Sequence, residues 1–177
     1  IIIVFSIIFL LSLISYSPND PNFIFPNEKE INNLIGIKGS ILSDFFFQSI
    51  GFVSVLIPLT FIFVGINIFS QKKITVIIEC FFLVILYSLV GSVFLSYFYV
   101  NSFWLSINGN GGYVGSFLLD LFFESFIKLN EKLFFYIFIF IISCLFFFSL
   151  KLNLKNIFLY FLKKRNQKTQ HIIYSEK

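Results

Sequence analysis

The chain has 177 residues, of which 58% are hydrophobic and 12% are charged, and its net charge is +4. Soluble domains carry roughly 25% charged residues, so this composition excludes an ordinary soluble domain and indicates a membrane protein. Four apolar segments occupy residues 1–16, 45–69, 74–100 and 133–150. The last three reach the ~18 apolar residues that a spanning helix needs. We therefore predict an all-α integral membrane bundle of four transmembrane helices.

Residues 1–16 are too few to cross a hydrocarbon core of ~30 Å at about 1.5 Å of rise per residue. The chain also contains no methionine, so we expect a first transmembrane helix that is truncated at its start. A secretory signal peptide is the alternative, with Ser15-Tyr16-Ser17 as the cleavage site. The missing basic segment before the apolar run counts against it.

The outer segment 17–44 begins with two prolines, Pro18 and Pro21, which predict a stiff exit from the first helix. It ends in Gly-x-x-Gly-Ser-x-x-x-Asp, and the same pattern returns 76 residues later. The repeat indicates two related helical hairpins that each carry the motif in an outer loop. Its glycines permit a tight turn or a close backbone approach, and Ser40 is a candidate helix cap. The copies comprise Gly36, Gly39, Ser40 and Asp44, and then Gly112, Gly115, Ser116 and Asp120.

The two central spans carry specific packing signals. Pro58 in the segment 45–69 removes a helical hydrogen bond, which predicts a kink near the middle of that helix. The segment 74–100 contains small residues that would let a second helix approach closely. This small-residue stripe consists of Ser88, Ser92 and Ser96 at four-residue spacing, with Gly91 beside them.

The second outer loop, residues 101–132, contains the only tryptophan of the chain. Trp104 is placed where an interfacial aromatic belt would have it, and a ligand-stacking role is the alternative. Residues 121–132 are amphipathic. They predict a short helix on the outer face before the fourth span, residues 133–150.

The distribution of Lys and Arg predicts the orientation in the membrane, because short basic loops stay in the cytoplasm. The connection 70–73 and the tail 151–177 are basic, whereas the loops 17–44 and 101–132 lean acidic. We therefore expect both termini in the cytoplasm and read the net positive charge as topology and attraction to anionic lipid. The topology determinants are Lys72, Lys73, Lys151, Lys155, Lys163, Lys164 and Arg165.

Glu79 is the one acid clearly within a span, and it lies ~8 Å from the cytoplasmic end of that span. An intramembrane acid is a candidate proton or cation site. The alternative, which we favour, is that its carboxylate reaches interfacial water and Lys72 or Lys73.

Other candidate chemistry is sparse. Asp44 and Asp120 would form either a cation- or partner-binding pair or part of the loop hydrogen bonding, and the second reading is the stronger. His171 is the only histidine and lies in the tail, and the phosphate-binding G-x-x-x-x-G-K-[ST] pattern is absent. We predict no catalytic residue, no metal site and no cofactor.

Three segments together resemble the amino-terminal four-helix membrane region of the FtsK/SpoIIIE family of bacterial DNA translocases. Residues 15–21, Ser-Tyr-Ser-Pro-Asn-Asp-Pro, are similar to the family's Ser-Tyr-x-Pro-x-Asp-Pro after its first helix. Residues 33–44 are similar to the family's Asn-x-x-Gly-x-x-Gly-Ala-x-x-Ala-Asp, and residues 111–115 match a glycine motif before its last span. The resemblance covers residues 1–165.

The resemblance implies an anchor in the bacterial cytoplasmic (inner) membrane that holds a hexameric ATP-driven DNA motor at the division septum for chromosome segregation. The motor itself is not in this chain, so the chain would have no enzymatic activity. Its expected partners are the lipid bilayer, membrane proteins of the septum and further copies of itself, with DNA reached only through the motor.

Two other functions remain open at this point. A small transporter or channel subunit is also built from duplicated helical hairpins, but it needs polar residues at mid-membrane. Apart from Glu79, the spans offer only serines, Thr60 and Asn67. A membrane-embedded enzyme would need clustered acids or histidines at membrane depth, and we rank it last.

Overall fold

The computed structural model describes residues 1–21, 31–71, 75–101, 104–105 and 107–151. Every regular element within these ranges is helical, in agreement with the predicted all-α class. The elements are α1 (Ile2–Ile14), α2 (Ile37–Ile50), a 3-10 helix (Gly51–Val55), α3 (Leu56–Gln71), α4 (Thr75–Phe98), α5 (Gly112–Leu118), a π-helix (Leu119–Phe123), α6 (Glu124–Leu129) and α7 (Glu131–Ser149).

Three helical stretches are long and apolar enough to cross a membrane: Ile37–Ile68, Val76–Phe98 and Glu131–Ser149. The helix α1 is apolar but shorter. It packs along α3, while α4 packs along α7 and α5. Four spans in two hairpins therefore remain a prediction.

Two hydrophobic clusters hold the helices together. The first joins α1, α2, α3 and α4 through residues such as Phe9, Phe47, Ile57 and Tyr87. The second joins α4 to the π-helix, α6 and α7, and its buried members are Val93, Leu119, Ile127 and Phe138. Many other large apolar side chains are exposed, as expected for surfaces that face lipid.

The helix is interrupted at Gly51, where φ is +70° and ψ is −155°, and a 3-10 helix follows. The kink expected at Pro58 stays a prediction. Pro58 is the third residue of α3, which follows the 3-10 helix directly. The N–H that proline lacks therefore falls in the first turn of the α-helix, where proline is tolerated.

The helix limits around the repeat also differ from the sequence boundaries. The first motif lies in α2, which starts at Ile37 rather than at residue 45. In the second outer segment the helix begins at Gly112, before Asp120, and continues through the π-helix into α6. Each copy thus begins a helix with a glycine in the left-handed region, at φ +74° for Gly36 and +68° for Gly112.

Candidate functional site

The two motifs of the segment after α1, residues 15–21 and 33–44, dock against each other. Asp20, from residues 15–21, is 5% exposed, and its carboxylate accepts three hydrogen bonds from residues that the structure describes. The donors are the backbone and side-chain N–H groups of Asn32, both at 3.0 Å, and the backbone N–H of Asn33 at 2.8 Å. A buried carboxylate is costly unless it is hydrogen-bonded, so these bonds explain why the acid is tolerated there.

Asn33 fastens the same segment to the end of α1. Its side-chain amide donates to the carbonyls of Ser12 at 2.9 Å and Ser15 at 3.3 Å, which lack partners within the helix. Its Oδ1 accepts from the backbone N–H of Ile35 at 3.1 Å. One side chain therefore ends α1 and shapes the turn before α2.

Gly39 lets α2 approach this turn, because a Cβ at Gly39 would lie 2.3 Å from Oδ1 of Asn33. The Ser12 hydroxyl donates to the Gly39 carbonyl at 2.7 Å. Ser40, predicted to cap the helix, does not do so: Gly36 occupies the N-cap position, and the Ser40 hydroxyl donates to the Pro21 carbonyl at 2.6 Å. We call this set the outer polar cluster; it comprises Ser12, Ser15, Asp20, Asn32, Asn33, Gly39, Ser40 and Ser43.

The two aspartates of the repeat occupy different environments. Asp44 is 8% exposed, and its Oδ1 accepts from the Tyr16 hydroxyl at 3.1 Å and from Gln48 at 3.4 Å. Burial, together with the Asp44 charge, raises the pKa of Tyr16, so the phenol remains a donor. Asp120 is exposed. Local hydrogen bonding thus engages Oδ1 of Asp44, and the structure does not bring the two acids together into a site.

The second motif packs against the break between α2 and the 3-10 helix. A Cβ at Gly112 would lie 2.6 Å from the backbone nitrogen of Gly51. Conversely, a Cβ at Gly51 would lie 1.8 Å from the carbonyl oxygen of Asn110, which accepts from the Phe52 N–H at 3.0 Å. The two backbones meet at glycine positions, and the second motif supplies an acceptor that the interrupted helix needs.

The small-residue stripe of α4 receives the same region, which confirms it as a helix contact. The Ser92 hydroxyl donates to the Ile50 carbonyl at 2.8 Å, and a Cβ at Gly115 would lie 2.4 Å from the Ser92 carbonyl. A Cβ at Gly91 would lie 2.7 Å from the Val53 side chain. The second glycine motif therefore sits between α2 and α4.

A second set of polar contacts lies at the other end of the bundle, around the end of α7. Glu79 pairs with Lys151 at 2.5 Å, whereas Lys72 and Lys73 lie outside the described residues. Asn67 donates to the Leu150 carbonyl at 2.8 Å. The remaining topology determinants, Lys155, Lys163, Lys164 and Arg165, also lie outside the described residues.

Several polar side chains of the spans form hydrogen bonds in the same region. The Thr60 hydroxyl lies 3.1 Å from that of Tyr87 and 3.4 Å from that of Ser149, and the Cys80 thiol donates to the Ser149 carbonyl at 3.0 Å. In the described part of the chain, no three residues among His, Cys, Asp and Glu are grouped so that they could hold a metal ion. These hydrogen bonds connect α3, α4 and α7.

Sequence reasoning found the repeat and the small-residue stripe but missed the roles of Asp20 and Asn33. The available signal was that both lie in short polar stretches on either side of one loop, at the outer end of an apolar helix. Trp104 is half-exposed and lines a small apolar cavity with Leu13 and Tyr16 at the end of α1. Its interfacial role and its stacking role both remain predictions.

These features define a helical membrane domain whose glycine motifs, together with polar contacts at the opposite end, hold its helices together. The chain matches the family described as the 4TM region of DNA translocase FtsK/SpoIIIE over residues 1–157. It therefore belongs to that family. The matched family is the membrane region of these translocases.

Curated relatives point the same way. A protein named DNA translocase FtsK from Rickettsia typhi (strain ATCC VR-144 / Wilmington) is 37% identical over 83 residues, which cover 47% of this chain and 11% of the relative. The DNA translocase FtsK of Rickettsia bellii (strain RML369-C) is 43% identical over 60 residues, which cover 34% of this chain and 8% of the relative. The chain thus spans about a tenth of the length of these relatives. No solved structure matches it.

Proposed function

We propose that this chain is the membrane-anchoring and assembly region of a cell-division DNA translocase, positioning a cytoplasmic ATP-driven DNA motor at the septum for chromosome segregation. Membership of the 4TM family is the observation that carries the proposal. The contacts support it, because Gly39 accepts a hydrogen bond from α1 and Gly112 and Gly115 pack closely against α2 and α4, as a rigid anchor requires.

Replacing the anchor separates specific assembly from simple membrane attachment. In the complete protein, residues 1–151 are exchanged for an unrelated four-span module of the same orientation, and a fluorescent fusion reports position. We expect the exchanged protein to be inserted in the membrane but lost from the septum, with chromosomes trapped at division. Septal localisation and normal segregation by the exchanged protein would overturn the assembly role.

The orientation in this proposal has both termini in the cytoplasm and four spans in the inner membrane. Single cysteines at Asn19, Asn110 and Gln71, in a background without Cys80 and Cys144, test it. An impermeant thiol reagent should label the first two positions from outside and should label Gln71 only after lysis. The reverse pattern would overturn the orientation.

The proposed assembly is homo-oligomeric, a hexamer in the complete protein, with septal membrane proteins as further partners. Exposed apolar side chains on α7, such as Tyr136 and Phe140, are available for such contacts or for lipid. Crosslinking of the complete protein in native membranes tests this: a ladder that ends at six subunits is expected, and a ladder that stops at the monomer would refute it.

A channel or transporter subunit is the competing function, and Glu79 is the residue that distinguishes it. Its carboxylate pairs with Lys151 at the end of α7, and Thr60 and Asn67 bond to the same end. The Glu79→Gln variant should insert normally and should support segregation. Loss of an ion flux with normal insertion would instead favour a transport path.

A further inference from the structure

An apolar groove with a volume of about 770 Å³ lies between the two repeat-bearing helices. Ile41 and Phe45 of α2 form one wall, and Tyr113 and Val114 of α5 form the other. It opens beside Asp44, whose partner Tyr16 follows the end of α1, so the groove lies at the outer boundary of the apolar bundle. We call it the outer groove.

Two charged groups of opposite sign border the outer groove without pairing with each other. Asp44 is 8% exposed, and both of its hydrogen bonds use Oδ1, which leaves Oδ2 with no hydrogen-bond partner in the part of the chain that the structure describes. Lys38 is exposed and forms no ion pair with any described residue. A carboxylate that lines the groove and has one oxygen without a donor favours a cationic partner, because hydrogen bonds between ionised groups are the strong ones.

We propose that the outer groove binds a phospholipid whose headgroup carries a primary ammonium. The ammonium donates to Asp44 Oδ2, the phosphate lies against Lys38, and one acyl chain follows Ile41 and Phe45. The zwitterionic headgroup matches the two unpaired charges, and the apolar walls match the chain. A soluble cation would satisfy Asp44 but would leave the apolar walls in contact with water, which burial of an acyl chain avoids.

The ammonium is the feature that the groove selects, so lipid class is the first test. The complete protein is stripped of lipid in detergent and offered equal amounts of phosphatidylethanolamine and phosphatidylcholine with the same acyl chains, and bound lipid is counted by native mass spectrometry. Phosphatidylcholine has no N–H to donate. We expect about tenfold preference for phosphatidylethanolamine, the equivalent of one charge-assisted hydrogen bond. Equal retention of the two lipids would overturn the proposal.

Variants separate the two charges. Asp44→Asn should reduce phosphatidylethanolamine to the phosphatidylcholine level, whereas Tyr16→Phe, which removes a bond to Asp44 but keeps its charge, should retain the preference. Lys38→Gln should weaken the binding of both lipids. Lys128→Gln, at an exposed lysine outside the groove, should leave the binding of both unchanged. Unchanged selectivity in Asp44→Asn, or equal effects at the two lysines, would contradict the assignment.

A photo-crosslinking residue in place of Phe45, which is exposed in the groove wall, identifies the occupant in native membranes. The expected adduct is an aminophospholipid, identified by mass. An adduct with a protein, including a second copy of this chain, would show that a polypeptide fills the groove and would refute the lipid assignment. This readout does not depend on the stability of any Asp44 variant.

Discussion

Gly36 and Gly112 are equivalent in the repeat and similar in φ, at +74° and +68°, but they differ in what surrounds them. A Cβ at Gly36 would meet nothing within 4 Å. A Cβ at Gly112 would lie 2.6 Å from the Gly51 nitrogen and 2.7 Å from the Ile50 nitrogen. These neighbours are backbone atoms, which cannot move aside as a flexible side chain would.

Alanine at either position would therefore carry the same kind of backbone strain, ~1–3 kcal/mol. Only Gly112→Ala adds the cost of forcing two backbones apart, and overpacking of this kind costs about 1–3 kcal/mol more. We expect Gly112→Ala to lower the free energy of unfolding by that additional amount relative to Gly36→Ala. The pair is matched, because the substitution and the motif position are identical.

Reversible unfolding in mixed micelles, followed by circular dichroism and by Trp104 fluorescence, measures both variants against the unsubstituted protein. Equal destabilisation by the two substitutions would refute the inferred contact between α5 and the α2 break. A double variant, Gly51→Ala with Gly112→Ala, adds a further check. Because both glycines serve one contact, the combined loss should be smaller than the sum of the single losses.

Three further predictions concern the polar contacts, each measured in the same unfolding assay. Asn33→Ala should lower the free energy of unfolding by about 2–3 kcal/mol, because it leaves the carbonyls at the end of α1 without donors. Asn19→Ala, at an exposed position, is the control, and an equal loss in the two variants would contradict the role of Asn33. Tyr16→Phe should cost ~1 kcal/mol through its bond to Asp44, and no change would show that the bond contributes nothing. Asn67→Ala should cost ~1 kcal/mol and increase proteolysis near the end of α7; unchanged proteolysis would count against this contact.

The helical class was predictable because composition alone excludes a soluble chain and the apolar segments are long. The stripe around Ser92 was predictable for a similar reason, since small side chains at four-residue spacing fall on one helix face. The site of the break after α2 was not predictable from the sequence. Proline carries a strong local signal, but Pro58 falls in a first turn where its missing donor costs little, whereas Gly51 breaks the helix because Asn110 of a distant segment packs against it.

The repeat shows where local pattern ends and tertiary context begins. In both copies the first glycine starts a helix in the left-handed region, so the shared pattern determines a local feature. Beyond that the copies diverge: Gly39 is packed by the side chain of Asn33, and Gly115 by the backbone of Ser92. The partner is supplied in one case by the loop just before the motif and in the other by the preceding span. An internal repeat therefore predicts equivalent backbone, while equivalent contacts require that the residues around each copy be repeated as well.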